Sequence, residues 1–409
     1  MSIIDLELHA KIHEAEDQPG VETLAYSTEK IAGRLNELAR DPVGGDNLLS
    51  CSAQGLSRTI NQDSTLLEVF HNARIQRSLS GQGLTSISGA LLMTSHAVNK
   101  IFFDQGVYDY MQQLGLSEDI DPEEGARIYH SLFKDIERNY LEQFAKIIES
   151  KNIQSTDFHR GVSLPSIINR VFGSEGITWS DVGSSAAFPS KRVAYRDKFA
   201  HIDQFSVKDY TQYGDKQGIV MSAVDAPINV DRLIAVDPTN PLTPGDQEAY
   251  DWFVACRMPK KTTPAEVDRT KSRMKLYTDE QLRGFEFREG YMDAPPVDKG
   301  SCDLVTAFTV LTHMDKDHRD EGIEAMLSLL KPDRRSLLVI QDYLIKDGGC
   351  HGISTVKTRE PFTYGTWVCG EITGGEVWET FKWQNSECRG AVVPGEDFIK
   401  FMEATELFQ

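Results

Sequence analysis

The residues best placed to bind a ligand close a short apolar run that begins at Ile177 and ends in Asp181-Val-Gly-Ser-Ser185. Glycine and other small residues let the backbone approach a bound molecule closely. Further apolar runs that end on polar or aromatic residues follow, among them Leu233-Ile-Ala-Val-Asp237 and Leu304-Val-Thr-Ala-Phe308. This pattern is typical of parallel strands that are covered on both faces and whose carboxyl ends line a ligand crevice.

A second group of residues that could take part in catalysis or metal binding follows Phe308. It consists of His313, Asp315, Asp317 and His318. Histidine titrates near neutral pH, so His313 is a candidate general base. A His/Asp cluster is also a possible divalent-metal site. Against this, Asp315 and Asp317 look like the cap and first turn of the following helix. We favour the cap, keep His313 as a catalytic candidate and predict no bound metal.

These residues need a sheet to position them, and from about residue 160 strands and helices alternate in the α/β manner. The amphipathic pattern at Arg319 to Leu330 predicts a helix, and Phe398 to Leu407 predicts a closing helix. The predicted strands are Ile177 to Val182, Leu233 to Val236, Phe285 to Arg288, Leu304 to Phe308 and Ser336 to Ile340, followed by an antiparallel pair at Gly365 to Ile372 and Val377 to Trp383.

The first part of the chain has a helical pattern instead. Apolar residues at spacings of three and four predict helices at Val21 to Ala39, Leu66 to Gln76, Ser86 to Phe103 and Gly106 to Leu114, and one that starts at Asp121-Pro and continues through Ile148. We therefore predict an all-helical domain over 1–160, acting as a cap or in dimerisation, and an α/β domain over 161–409. Insertions near 189–232 and 239–284 would lie at the rim of the crevice.

Composition narrows the classes of function. The chain has 409 residues and a formal net charge of −19, which disfavours a surface that tracks nucleic-acid phosphates. Its six cysteines are far apart, which argues against a disulfide framework or a zinc site. The N-terminus lacks the pattern of a secretory signal, and no apolar window is long enough for a membrane span. We expect a cytoplasmic protein with a small-molecule partner and no membrane contact.

Three stretches occur in an order found in a known family: Gly300-Ser-Cys-Asp-Leu-Val-Thr-Ala-Phe-Thr-Val-Leu-Thr-His-Met314, Ala325-Met-Leu-Ser-Leu-Leu-Lys-Pro332 and Leu338-Val-Ile-Gln-Asp342. Residues 170–409 thereby resemble the class I S-adenosylmethionine-dependent methyltransferases. The resemblance implies a Rossmann-like seven-stranded methyltransferase sheet and S-adenosyl-L-methionine as cofactor.

The resemblance also assigns site residues. It implies contacts with the methionine end, the ribose, the adenine and the crevice floor, and two catalytic candidates. In that order these residues are Asp181, Gly183, Ser184 and Ser185; Asp237; Tyr291, Met292 and Asp293; Ala307, Phe308 and Thr309; and His313 with Tyr343. Asp225 competes with Asp237 for the ribose, because Asp237 lies farther from Asp181 than the family spacing of about 20 residues.

The sequence departs from the family where Ser185 replaces a usual glycine and Ala187 replaces another frequent one. The leading interpretation is methyl transfer to a small-molecule acceptor, such as a specialised metabolite, by a chain that forms a homodimer through its helical half. One alternative is a methyltransferase-like scaffold without catalysis that binds a partner. The other is an RNA methyltransferase, which would need a local basic groove, for example around Lys191 and Arg192.

Overall fold

The computed structural model describes most of the helices and strands that the sequence predicts. The residues described are 28–40, 47–60, 64–79, 87–104, 115–116, 119–154, 160–161, 163–195, 228–257, 282–311, 316–332, 335–343, 364–383 and 392–406. The predicted helix Gly106 to Leu114 and the alternative ribose ligand Asp225 lie outside them. The described residues form two compact units.

The helical unit contains the described residues up to 154 and one later helix. Its helices are α1 (Thr28–Arg40), α2 (Asn47–Thr59), α3 (Thr65–Leu79), α4 (Ile87–Asp104), α5 (Pro122–Asp135), α6 (Leu141–Ser150) and α9 (Gln247–Arg257). Leu35, Phe70, Phe133 and Phe144 lie in its core, and α9 adds Trp252 to the same core. The sequence had placed this last helix in an insertion of the second half. The boundary at residues 160 and 161 stays a prediction.

Helix α5 shows how the local sequence sets an element. Asp121 caps it by accepting hydrogen bonds from the backbone N–H groups of Glu123 and Glu124, and Pro122 occupies the first turn. The sequence predicts one continuous helix from here to Ile148. The structure instead places a π-helical turn at Ile136–Tyr140 between α5 and α6, so the wider turn shifts the register of the apolar stripe.

The second unit is built on a mixed sheet, which confirms the α/β class. Its strands are β1 (Ile177–Val182), β2 (Val230–Asp237), β3 (Phe285–Glu289), β4 (Leu304–Phe308), β5 (Leu337–Tyr343), β6 (Tyr364–Gly370), β7 (Trp378–Trp383) and β8 (Val392–Pro394), in the order β3-β2-β1-β4-β5-β6-β7-β8. The pairs among β1 to β5 are parallel and the later pairs are antiparallel. All seven predicted strands are present, and β8 extends the sheet.

Four helices of this unit are α7 (Leu164–Phe172), α8 (Phe188–Ala194), α10 (Lys316–Ser328) and α11 (Phe398–Thr405). Apolar side chains of α7 and α11 form one core with alternate residues of the strands, including Trp179 and Val339. Alternation follows from the pleat, which sends successive side chains to opposite faces. Among the described helices, none combines the length and apolar character that crossing a membrane requires.

Candidate functional site

The candidate site lies at the carboxyl ends of β1 and β4. From β1 the chain crosses to β2 on one side, while β4 and β5 lie on the other, so the strand order reverses between β1 and β4. Open α/β sheets bind ligands outside the carboxyl ends of the strands at such a reversal. Within the described residues, Ser185, Ala187 and Thr309 are the non-glycine residues with positive φ, at 50°, 55° and 56°. All three lie in the loops after β1 and β4, and strained backbone of this kind clusters at ligand sites.

The loop after β1 is held by the end of β2. The backbone N–H groups of Gly183 and Ser184 both donate to the carbonyl oxygen of Val236, at 2.8 and 3.1 Å. Gly183 has φ +69°, and a Cβ added there would collide with the side chain of Val310 from the loop after β4. Glycine is therefore required at this position both by its φ and by the close approach of the two loops.

Asp237 ends β2 and lies beside this loop. Its Oδ2 accepts a hydrogen bond from the backbone N–H of Ser185 at 2.8 Å, and its Oδ1 accepts one from the N–H of Thr239 at 3.2 Å. The side chain is buried. Residues 52 positions apart meet here because parallel neighbours in a sheet end at the same edge. A carboxylate is the type of group that accepts hydrogen bonds from ribose hydroxyl groups.

Ser185 carries an orphaned polar atom. Its Oγ is buried and has no hydrogen-bond partner, although its backbone N–H is bonded to Asp237. Buried hydroxyl groups are almost always paired, so such an atom needs an explanation. Ser185 is also the position at which the resemblance puts a glycine. The small hydroxyl is compatible with a ligand bound at this loop.

Asp181 is fully buried, and both of its oxygens have protein partners. Oδ2 accepts from Ser190 Oγ of α8 at 2.6 Å, and Oδ1 accepts from Thr306 Oγ1 of β4 at 2.8 Å. Thr306 Oγ1 in turn accepts from Trp179 Nε1 at 2.9 Å. Burial is the main cause that raises the pKa of Asp181 to about 7. The two hydroxyl donors oppose this shift, and the nearby charge of Asp237 contributes to it. The carboxyl thus ties β1, β4 and α8 together below the loop.

The three residues predicted to line the adenine lie in a tight turn after β3. Tyr291 and Ala294 form an isolated backbone bridge, and the Tyr291 side chain is 56% exposed. Asp293 is exposed as well. Met292 is buried, and its side chain packs against Gly322 of α10 so closely that a Cβ there would collide with it. Tyr291 and Asp293 are therefore available to a ligand, whereas Met292 supports the turn from below.

The predicted crevice floor is the end of β4. Ala307 is buried and pairs with Ile340 of β5. The ring of Phe308 belongs to the apolar core on the α7 side of the sheet. It also faces a turn at Gly161, where an added Cβ would lie 3.4 Å from both Phe308 and Pro189. Gly161 donates its N–H to Gln341 Oε1 at 2.8 Å, which fixes this turn against β5.

The two catalytic candidates have different positions relative to the described residues. His313 lies outside them. Tyr343 is the last residue of β5, opposite Tyr364 of β6, at the same sheet edge as the loops described above. In the part of the chain that the structure describes, His, Cys, Asp and Glu side chains form no group suited to holding a metal ion.

Sequence reasoning missed the hydrogen bonds by which hydroxyl groups support the site. Thr306 and Ser190 bind Asp181, and Thr309 and Tyr364 form a hydrogen bond to each other at 2.7 Å. Thr306 lies inside an apolar strand, and a single polar residue there does not by itself indicate a role in a site. Only the isolated threonine within the buried run Leu304 to Phe308 hints at an internal polar partner.

No protein-family model matches the chain, and no curated protein matches its sequence. Solved structures do resemble parts of it. The complex of the Haloferax volcanii Trm112 methyltransferase activator with a methyltransferase-like chain matches at 14% identity, covering 45% of this chain and 52% of that one, with TM-score 0.25. A SAM-dependent methyltransferase of Aquifex aeolicus matches at 14% identity, covering 46% and 70%, with TM-score 0.23.

A third structure is a Burkholderia thailandensis 1,6-didemethyltoxoflavin-N1-methyltransferase with bound S-adenosylhomocysteine. It matches at 11% identity, covering 70% of this chain and 79% of that one, with TM-score 0.22. The chain spans about half the length of the first structures that it matches. Likeness at this level says nothing of a shared cofactor, acceptor or partner.

Proposed function

We propose that the chain binds S-adenosylmethionine at the carboxyl ends of β1 and β4 and transfers its methyl group to a small-molecule acceptor. The observation that carries the proposal is the junction of Ser185 and Asp237. A strained loop of small residues is bonded to a buried carboxylate at 2.8 Å, and the loop holds a hydroxyl oxygen without a partner. This arrangement offers a close backbone approach and acceptors for hydroxyl groups at one place.

We assign the described residues to the parts of the cofactor as follows. Gly183, Ser184 and Ser185 would hold the methionine end, with Ser185 Oγ as a hydrogen-bond donor to its carboxylate. Asp237 would accept from the ribose hydroxyls, and Tyr291 with Asp293 would contact the adenine. When bound, S-adenosylmethionine supplies an electrophilic methyl group on a sulfonium centre.

The chain itself would contribute to the chemistry mainly by positioning the acceptor atom relative to the methyl group. An in-line displacement needs the acceptor atom about 3 Å behind the methyl carbon, and fixed orientation supplies several kcal/mol of the barrier reduction. We assign this task to the rigid end of β4 and to Tyr343 at the end of β5. His313, which follows that end of β4 in sequence, would take the proton of an acceptor hydroxyl or amine.

Asp181 has a supporting part in this proposal. Its bonds to Ser190 and Thr306 hold the start of α8 and the middle of β4 under the cofactor loop. It would set the loop's position without contacting the ligand. Dimerisation through the helical unit remains a prediction.

The test compares Asp237→Asn and Asp237→Ala with Asp231→Ala in the full chain. Asp231 is an exposed carboxylate at the other end of the same strand and serves as the matched control. A ligand that binds only the folded state adds about 2.7 kcal/mol of stability at one hundred times its dissociation constant. We expect S-adenosylhomocysteine to raise the thermal midpoint of the wild type and of Asp231→Ala.

The shift should be much smaller in Asp237→Asn and absent in Asp237→Ala. Equal shifts in all four proteins would remove Asp237 from the site. A wild type that binds the ligand but transfers no methyl group to any acceptor would favour the non-catalytic scaffold.

A further inference from the structure

The loop after β4 is fastened to β5 and β6 by three hydrogen bonds. The backbone N–H of Thr309 donates to the carbonyl oxygen of Gln341 at 2.7 Å. Thr309 Oγ1 lies 2.7 Å from the hydroxyl of Tyr364, and the N–H of Leu311 donates to Asp342 Oδ2 at 2.8 Å. We call these contacts of Thr309, Leu311, Asp342 and Tyr364 the β4 clamp.

The clamp forms a closed ring around Thr309. The hydroxyl of Tyr364 donates to the carbonyl of Gln341 at 2.9 Å, so Thr309 Oγ1 must donate to Tyr364 in turn. The same carbonyl therefore accepts from Thr309 N–H and from Tyr364. Tyr364 is completely buried and Thr309 is 7% exposed. A β-branched residue at φ +56° is unfavourable, and this ring is what holds Thr309 there.

The residue between the two clamped positions points elsewhere. Val310 packs on Gly183 so closely that a Cβ on Gly183 would collide with it. Thr309 and Leu311 are thus bound to the β5 side, while Val310 lies against the loop after β1. Val310 therefore connects the clamp to the loop that contains Gly183 and Ser185, and Ser185 is bonded to Asp237 of β2.

We propose that Tyr364 and Asp342 are positioning residues for the cofactor loop. They fix Thr309 in its left-handed conformation, which presses Val310 against Gly183 and sets the spacing of the two loops. This inference rests on the proposed function for its effect on the ligand. Its mechanical part, the connection from Tyr364 to the loop of residues 183–187, does not depend on any ligand.

The first test is a double-mutant cycle with S-adenosylhomocysteine as the probe, measured by calorimetry on the full chain. Tyr364→Phe removes one hydroxyl and should weaken binding by about tenfold. In a Val310→Ala background the same change should weaken it less than twofold, because the connecting side chain is gone. Equal losses of affinity in both backgrounds would mean that Tyr364 does not act on binding through Val310 and would overturn the proposal.

Thr380→Val is the matched control. Thr380 is a completely buried hydroxyl of β7 that donates to the carbonyl of Thr366 at 3.0 Å, outside the clamp. It should lower the thermal midpoint about as much as Tyr364→Phe while leaving the affinity within twofold of the wild type. A tenfold loss of affinity in this control as well would contradict the assignment.

Hydrogen exchange separates the clamp from the proposed function. The amides of Gly183, Ser184 and Ser185 are hydrogen-bonded to β2, so their exchange reports on the loop. Without any ligand, Tyr364→Phe should speed their exchange about tenfold, and Thr380→Val should leave it unchanged. If the wild type binds no S-adenosylhomocysteine, the proposed function fails. The exchange rates without ligand still test whether Tyr364 positions the loop. Unchanged exchange in Tyr364→Phe would overturn that role.

Discussion

Asp181 is the residue whose environment differs most from what its position in the sequence suggests. The resemblance assigns it to the ligand, and the structure gives its two oxygens to Ser190 and Thr306. A carboxyl with no contact with water binds its proton more tightly than an exposed one, hence the raised pKa of about 7. Its protonation state therefore changes within the physiological range and couples the stability of the sheet unit to pH.

The sign of that coupling follows from linkage. The folded chain holds the Asp181 proton up to about pH 7, whereas the ordinary value of 3.8 applies after unfolding. The free energy of unfolding therefore falls as pH rises from about 4 through 7. We expect the wild type to lose about 2–3 kcal/mol relative to Asp181→Asn between pH 5 and pH 8. Denaturant unfolding of both proteins at the two pH values measures this, and parallel pH dependences would refute it.

The turn from β1 into α8 is the element on which the site depends most. It contains Gly183, Ser185 and Ala187, all at positive φ, within five residues. A short apolar strand followed by small residues predicts such a turn from the sequence. Its strain is offset by bonds to Val236 and Asp237 of β2 and by the contact with Val310.

Gly183→Ala tests this turn. The new Cβ would suffer from both the positive φ and the collision with Val310, so we expect a loss of more than about 1 kcal/mol in the free energy of unfolding. Gly374→Ala is the matched control, because Gly374 has φ +67° in the left-handed helical region and nothing within 4 Å of an added Cβ. Denaturant titration should show a smaller loss there. Equal losses would mean that the two loops do not press on each other.

The sequence predicted the strands better than it predicted the helices or the hydrogen bonds that support the site. Buried parallel strands are runs of apolar residues, so β1 to β5 could be recognised from the sequence. Helix α2 was missed because half of its buried positions are small residues, Ser50, Ser52, Ala53 and Gly55. Its larger apolar residues are too few to show a clear helical period. At the site, Asp237 and Ser185 could be named because each ends an apolar run or follows one.

The hydrogen-bond partners could not be inferred, because Thr306, Gln341 and Tyr364 come from different strands. Contacts between strands depend on register, which a single sequence does not reveal. The β4 clamp depends on such contacts between strands. Leu311 and Asp342 are 31 residues apart in sequence, and Thr309 and Tyr364 are 55 residues apart.

At the scale of the whole molecule, charge is the main guide to the acceptor. A net charge of −19 repels a polyanion, and affinity for nucleic acid comes mainly from lysine and arginine neutralising phosphates. In the proposed site, the carboxylates of Asp237 and Asp293 would add negative charge. Within the proposed function, we therefore favour a small neutral or cationic acceptor over RNA.

The central claim is that the carboxyl ends of β1 and β4 form a cofactor site, and calorimetric titration of the purified full chain with S-adenosylhomocysteine tests it most directly. We expect binding at one site per chain with a micromolar dissociation constant, a value of about −8 kcal/mol in binding free energy. No heat of binding up to millimolar ligand, together with an unchanged thermal midpoint, would contradict the claim.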